Sequence, residues 1–276
     1  MRENTLLSFE EKISMKLMAL FSGYGYKKFK MSKFEEYDFY MKNKSFLVSE
    51  NVLTFTDTNG KLMALKPDVT LSIIKNTKAD EQLKKVYYNE VVYRPNDENG
   101  FREINQTGLE CIGEIDNKNV CEVISLAISS LQQLSDTYLL NISHNGFVAG
   151  IFEEVEIDDK LKSKLYNAIF QRNTALISSI CAEADIDKKT EDVLLKLCLI
   201  YEPISNLQET KSLILNDTMQ NAFDELNEIL ENLTEQNIAD KVMLDFSIEN
   251  DTNYYNGIVF NGYIDEINES ILAGGR

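Results

Sequence analysis

The sequence predicts an α+β fold, an antiparallel sheet with helices on one side. Strand-like segments fall in two blocks, helix-like segments fill the stretch between them, and regular strand–helix–strand alternation is missing. With 276 residues, 43% of them apolar, the chain can bury a substantial core.

The elements follow in order. Ser8 with Glu11 three residues on reads as a capping box, and Phe9, Ile13, Leu17, Leu20 and Phe21 recur at helical spacing until Gly23. A short strand is expected over Tyr26 to Met31. Val52–Thr56 and Leu62–Leu65 flank Asp57-Thr58-Asn59-Gly60, where Asn-Gly offers the positive φ angles of a tight hairpin. Asp68 is placed to cap a short helix through Ile74. Two longer strands, Lys85–Arg94 and Arg102–Ile112, are joined by the turn-forming Pro95-Asn96-Asp97-Glu98-Asn99-Gly100 and so should be antiparallel neighbours. From Val120 to about Asp240 the periodicity is helical, carried by Val123, Ala127, Leu131 and Leu134, then Leu161, Leu165 and Ile169, then Val193, Leu197 and Ile200, then Phe223, Leu226 and Leu230. Strand character returns at Lys241–Ile248 and Tyr254–Ile264. One core over residues 1–276 is expected, incomplete at the C-terminus, with a helical insertion at roughly 147–240.

Composition narrows the function. The formal charge is −17, from 28 Lys+Arg against 45 Asp+Glu, so most of the surface repels a polyanion and nucleic acid is not the expected partner. No apolar run is long enough to span a membrane, and acids occupy the N-terminus, so a cytoplasmic location is expected. Cys111, Cys121, Cys181 and Cys198 form no CxxC pair, and His144 is the single histidine; neither a zinc set nor any other cofactor site is expected. The cysteines are expected to be reduced, buried thiols. Only five cations are arginine (Arg2, Arg94, Arg102, Arg172 and Arg276), so an arginine inside a motif marks a place where its planar fork is wanted.

Three segments could carry chemistry. Strand alternation through Arg102-Glu103-Ile104-Asn105-Gln106-Thr107-Gly108-Leu109-Glu110 puts Arg102, Ile104, Gln106, Gly108 and Glu110 on one face. Arg102 and Gln106 are then about 13 Å apart, as are Gln106 and Glu110, and Gly108 leaves room for close approach. The same row is also what a solvent-facing strand looks like. In Leu65-Lys66-Pro67-Asp68-Val69-Thr70 a proline-fixed turn presents Asp68 and Thr70 at a helix start, either to a ligand ammonium or simply as a cap. In Asn253-Tyr254-Tyr255-Asn256-Gly257-Ile258-Val259-Phe260 the paired tyrosines should face opposite sides of a strand, and Ile271-Leu272-Ala273-Gly274-Gly275-Arg276 follows. His144 has no partner pattern and reads as structural.

As an ordered set, LKPDVT, VYR…FREINQTGLECIG and YYNGIVF…ILAGGR resemble the class II synthetase core of histidyl-tRNA synthetases and their paralogue, the regulatory subunit of ATP phosphoribosyltransferase. The resemblance covers most of residues 8–116 and 241–276 and implies an antiparallel sheet with flanking helices and a homodimer. It implies a histidine-binding set of Asp68, Thr70, Arg94, Gln106, Glu110, Tyr254 and Tyr255, with Arg102 marking a possible vestigial nucleotide site.

Departures from the synthetase pattern point to one paralogue. Asn250-Asp251-Thr252-Asn253 stands where the synthetases carry Arg-Gly-Leu-Asp, and an amide cannot replace the guanidinium charge used in adenylate formation. Ser32 replaces the proline of the first class II motif, and no third motif follows. The resemblance thus implies a non-catalytic regulatory subunit. Its partner would be the short-form ATP phosphoribosyltransferase catalytic subunit, within a larger hetero-oligomer, and histidine would be the feedback effector. The alternatives are a divergent or truncated histidyl-tRNA synthetase, or a stand-alone amino-acid-binding paralogue.

Overall fold

The computed structural model describes residues 7–43, 51–77, 83–96, 100–249, 254–265 and 267–276. The chain divides into two compact units, residues 1–115 and 116–276. The segment 147–240 lies within the second.

The first unit opens with helix α1 (Phe9–Gly23). Both halves of the Ser8–Glu11 capping box form, at 2.7 and 3.1 Å. Strands β1 (Lys27–Lys28), β5 (Lys84–Pro95) and β6 (Phe101–Ile112) make one sheet, with β1 parallel to β5 and β5 antiparallel to β6. The β5–β6 ladder runs unbroken from Lys84↔Ile112 to Pro95↔Phe101. Helices lie on both faces of this ribbon. On the odd-numbered face, Thr107 reaches Ser14 of α1 and the Tyr87 ring meets Phe21. On the even-numbered face, Tyr88 and Val92 bury against Val69 and Ile73, and Phe29, Met31, Val86, Ile104 and Ile112 pack around them.

Strands β2 (Phe34–Glu36), β3 (Thr54–Thr56) and β4 (Leu62–Leu65) form a second small antiparallel sheet in the order β2-β4-β3. Helix α2 (Tyr37–Lys42) follows β2 directly, and its Tyr40 buries with Ala64 and Leu71. The β3–β4 hairpin forms, but its loop is the five residues between Thr56 and Leu62. Only Gly60 takes a positive φ (81°), while Asp57 Oδ1 accepts the N–H groups of Asn59 and Lys61 at 2.8 Å each. Side-chain acceptance thus replaces the expected two-residue Asn-Gly turn. Helix α3 (Thr70–Asn76) leads out of β4.

The second unit is built on a five-stranded sheet, β11 (Ile267–Gly275), β10 (Ile258–Ile264), β7 (Tyr138–His144), β9 (Val242–Asp245) and β8 (Tyr201–Pro203) in that order. All neighbours are antiparallel except β7–β9. The central strand β7 sits inside the stretch expected to be helical throughout. Seven helical segments of that stretch do form helices or 3₁₀ turns: α4 (Asn117–Leu134), α5 (Asn145–Glu153), α6 (Asp159–Phe170), α7 (Thr174–Glu183), α8 (Lys188–Leu199), a 3₁₀ segment (Ile204–Leu213) and α9 (Asp217–Glu235). The buried stripe of α4 runs through Val120, Ile124, Ile128 and Leu131, so the expected Val123 and Leu134 are only half-buried. Tyr254–Gly257 is a turn before β10 rather than part of the strand. Cys121, Cys181 and Cys198 are buried free thiols, whereas Cys111 on β6 is half-buried. Among the described residues no helix is long and apolar enough to cross a membrane.

Candidate functional site

The connection from β4 to α3 is pinned before any functional side chain is placed. Lys66 is fully buried; its N–H donates to Lys33 O at 3.1 Å, its carbonyl accepts from Tyr93 N–H at 2.9 Å, and its ammonium pairs with Glu90 at 2.8 Å. A lysine this buried persists only because Glu90 neutralises it. Pro67 then directs the chain into α3, leaving Asp68 and Thr70 over the even-numbered face of β5–β6.

That face brings together five of the sequence-predicted residues. Thr70 Oγ1 donates to Glu110 Oε1 at 2.5 Å, and Asp68, one residue ahead of the N-cap position Val69, accepts the Leu71 N–H of the first turn of α3 at 3.0 Å. Arg94 Nε donates to the Pro67 carbonyl at 3.3 Å, and its Nη2 lies 3.5 Å from Gln106 Oε1, the long limit of a hydrogen bond. Gln106 Nε2 donates in turn to the Tyr88 hydroxyl at 3.2 Å. Arg102 stands directly across the ladder from Arg94 and is exposed.

Gly108 fills a different role from the one expected. A Cβ there would lie 2.5 Å from Tyr88 Oη and 2.6 Å from Cζ. The room it leaves is taken by the Tyr88 ring, which reaches across from the neighbouring strand and accepts the Gln106 bond.

The electrostatics of the cluster favour a cationic visitor. Burial pushes Glu110 up to about 7; the Thr70 hydroxyl opposes this, and the nearby Asp68 charge adds to it. Burial also raises Asp68, against the pull of the Leu71 N–H and the Arg94 guanidinium. The Arg94 guanidinium acts on Asp68, Glu110 has only the Thr70 hydroxyl against its burial, and Lys66–Glu90 is neutral as a pair. An ammonium or imidazolium entering here would meet unneutralised acceptors. Among the described residues no group of three or more His, Cys, Asp and Glu side chains could hold a metal.

In the second unit, Tyr254 and Tyr255 contact one another edge to face, with ring centroids 4.6 Å apart and planes at 82°. The expectation that they face opposite sides of a strand fails because a turn, unlike a strand, does not alternate its side chains. This turn is held from two sides. Asn145 Nδ2 donates to the Tyr255 carbonyl at 2.7 Å and its N–H to the Gly257 carbonyl at 3.0 Å, while the Asn256 and Gly257 N–H groups both donate to the Arg276 carbonyl at 3.0 and 2.9 Å. Asn250-Asp251-Thr252-Asn253 lies outside the described residues.

His144 is structural, as expected, but it is partnered. Its Nδ1 accepts the Gly146 N–H at 3.0 Å, capping α5, so Nε2 carries the proton it shares with Glu225 Oε2 at 2.9 Å. The Arg276 guanidinium meets the same Oε2 at 2.8 Å. Sequence reasoning missed this group, as it missed Lys66–Glu90. For Glu90 a signal existed, since alternation along β5 sets it on the face of Tyr88 and Val92.

A family model described as histidyl-tRNA synthetase matches residues 6–276. A curated protein from Oceanobacillus iheyensis named ATP phosphoribosyltransferase regulatory subunit is 27% identical over 262 residues, 93% of this chain and 64% of that protein. One of the same name from Bacillus cereus is 28% identical over 274 residues, 96% of this chain and 65% of that protein. This chain thus spans just under two thirds of the length of these relatives. Among solved structures, an ATP phosphoribosyltransferase regulatory subunit/histidyl-tRNA synthetase from Bacillus halodurans aligns with a TM-score of 0.82 at 21% identity, covering 98% of this chain and 73% of that one. An ATP phosphoribosyl transferase (HisG:HisZ) complex from Thermotoga maritima aligns with a TM-score of 0.77 at 21% identity, covering 98% of this chain and 92% of that one.

Proposed function

The chain belongs to the histidyl-tRNA synthetase family, and from that premise we propose that it is a regulatory subunit of ATP phosphoribosyltransferase rather than an aminoacylating enzyme. In this reading it acts in the cytoplasm on the first step of histidine biosynthesis. It binds the short-form catalytic subunit, forms a homodimer within that hetero-oligomer, and carries histidine as the feedback effector. The transfer chemistry belongs to the partner.

One observation carries the proposal. Proteins of that name are similar along 93–96% of this chain, and the motif resemblance sets Asn250 where the synthetases carry the arginine used in adenylate formation. The Asp68–Thr70–Glu110 cluster supports the histidine part. Asp68 and Glu110 offer acceptors to an ammonium or a ring N–H, and Thr70 fixes the Glu110 carboxyl. Arg94 and Gln106 order the adjoining strand face. The motif resemblance assigns Tyr254 and Tyr255 to an amino-acid ligand, and Arg102 to a nucleotide phosphate site without present chemistry. Retained amino-acid binding without activation is the physical content of the reading: a ligand that prefers one arrangement of the subunit shifts the partner by linkage, ordinarily by about 1–3 kcal/mol.

The test is a calorimetric titration with histidine, other amino acids and ATP, combined with pyrophosphate exchange and assay of a short-form transferase. Histidine binding, absent exchange and stimulation of the transferase are expected. Robust histidine-dependent exchange would instead establish the divergent synthetase, which the family model itself favours as the second reading. Preference for another amino acid would establish a stand-alone binding paralogue.

A further inference from the structure

Beyond the residues of the amino-acid site, we infer that Glu225, on α9 of the helical stretch, is a positioning residue that sets the Tyr254–Tyr255 turn through two separate clamps. The functional half of this inference rests on the reading that the tyrosines meet the ligand; the structural half does not.

The first clamp runs through α5. Glu225 Oε2 receives the His144 Nε2–H at 2.9 Å; His144 caps α5 through Gly146; and Asn145, between them in sequence, holds the Tyr255 and Gly257 carbonyls. The second runs through β11. The same oxygen receives the Arg276 guanidinium at 2.8 Å, and the Arg276 main chain takes the Asn256 and Gly257 N–H groups and donates to the Ile258 carbonyl at 2.8 Å. These main-chain anchors of the turn belong to a residue that Glu225 holds, or to that residue's neighbour.

The seat of Glu225 is itself rigid. Gly146 and Gly150, four apart on α5, face α9 so closely that a Cβ at Gly146 would come within 2.9 Å of Ala222 Cβ, and one at Gly150 within 2.5 Å of Met219 Cγ. Ala222 is one helical turn from Glu225. Side-chain atoms at these contacts leave α9 little freedom to slide along α5. Glu225 is buried, and its second oxygen, Oε1, accepts no hydrogen bond. A core carboxylate with half its acceptor capacity unused is a poor choice for stability alone. It suits a group whose task is to hold two cation-like donors on one atom.

The experiment is hydrogen exchange on the 276-residue chain without ligand, followed by histidine titration, for Glu225→Ala and the isosteric Glu225→Gln. In Glu225→Ala the Asn256 and Gly257 amides should exchange at least about tenfold faster, the size expected for losing a charge-assisted hydrogen bond, while the neighbouring Val259 amide in β10 keeps its protection. Glu225→Gln, which preserves shape and one acceptor, should fall between the two and serves if the alanine variant does not fold. Histidine affinity should fall about tenfold alongside the exchange change. Unchanged turn amides, or protection lost equally at Val259, would overturn the positioning role, the latter by showing a merely global loss of stability. Faster turn exchange with unaltered histidine affinity in a protein that binds histidine would overturn its link to the ligand. If the parent chain binds no histidine, the reading of the amino-acid site fails, and exchange alone decides the positioning role.

Discussion

Glu110 and Glu225 are the same residue type, both withdrawn from water, and the molecule treats them in opposite ways. Burial acts first on each, pushing the carboxyl up. At Glu110 only a hydroxyl opposes it and a second carboxyl reinforces it, so the group rises to about 7. At Glu225 the His144 N–H and the Arg276 charge outweigh burial and hold the group below its ordinary value. The difference lies in whether the protein supplies a counter-cation: Glu225 has the Arg276 guanidinium, and Glu110 has only the Thr70 hydroxyl.

The largest effect that tests this contrast is on stability. Glu225→Ala leaves the buried His144 N–H without its acceptor, while the exposed Arg276 guanidinium can turn to water, and should cost about 2–3 kcal/mol in urea unfolding near neutral pH; a loss below about 1 kcal/mol would remove the contrast. Gly108→Ala forces a methyl into the Tyr88 ring and should cost about 2 kcal/mol in the same assay, with Gln106 losing its partner. Glu110→Ala should weaken histidine binding by more than about 1 kcal/mol in calorimetry, since a charged acceptor is lost. The smallest effect has the opposite sign. The folded-state value of Glu110 lies above its unfolded one near 4.3, so the wild-type chain loses stability as pH rises from about 4 through about 7. Glu110→Gln removes that loss and should be more stable than wild type by at least about 1 kcal/mol at pH 8, with no advantage at pH 4. For Glu225 the window is reversed: its depressed value contributes stability above the unfolded value near 4.3 that disappears as pH falls through the folded one.

How much of this was legible in the sequence depended on how local the determining contacts are. The capping box of α1 and the ends of β5 and β6 were readable to within a residue or so, because capping and hairpin pairing are settled by neighbours in the chain. Strand β7 was hidden. Leu140, Ile142 and the polar residues between them are all buried, so Tyr138–His144 lacks the in–out alternation of a surface strand, and its partner Val242 is a hundred residues away. The Asp68, Thr70, Gln106 and Glu110 grouping was foreseeable from motif and alternation. The guest of Gly108 was not, since it comes from the facing strand. Nor was Glu225, whose two partners are 81 and 51 residues distant and leave no local pattern. The tyrosine pair was misjudged by extending a strand four residues too far.

The burial of Lys66 has a consequence for where this chain can accept change. Its main chain is stitched to Lys33 on one side and Tyr93 on the other, and its side chain ends on Glu90. One residue inserted between Leu65 and Thr70 would rotate or displace Asp68 and Thr70 at once, because the rivet cannot travel with them. The β3–β4 loop is closed by Asp57, by main-chain bonds between Asp57 and Lys61 or Gly60, and by an exposed Lys61–Glu36 ion pair, none of them buried as Lys66 is. A reporter group or an affinity handle therefore belongs at the exposed Thr58–Gly60 tip, a few residues upstream of a stretch where length is not negotiable.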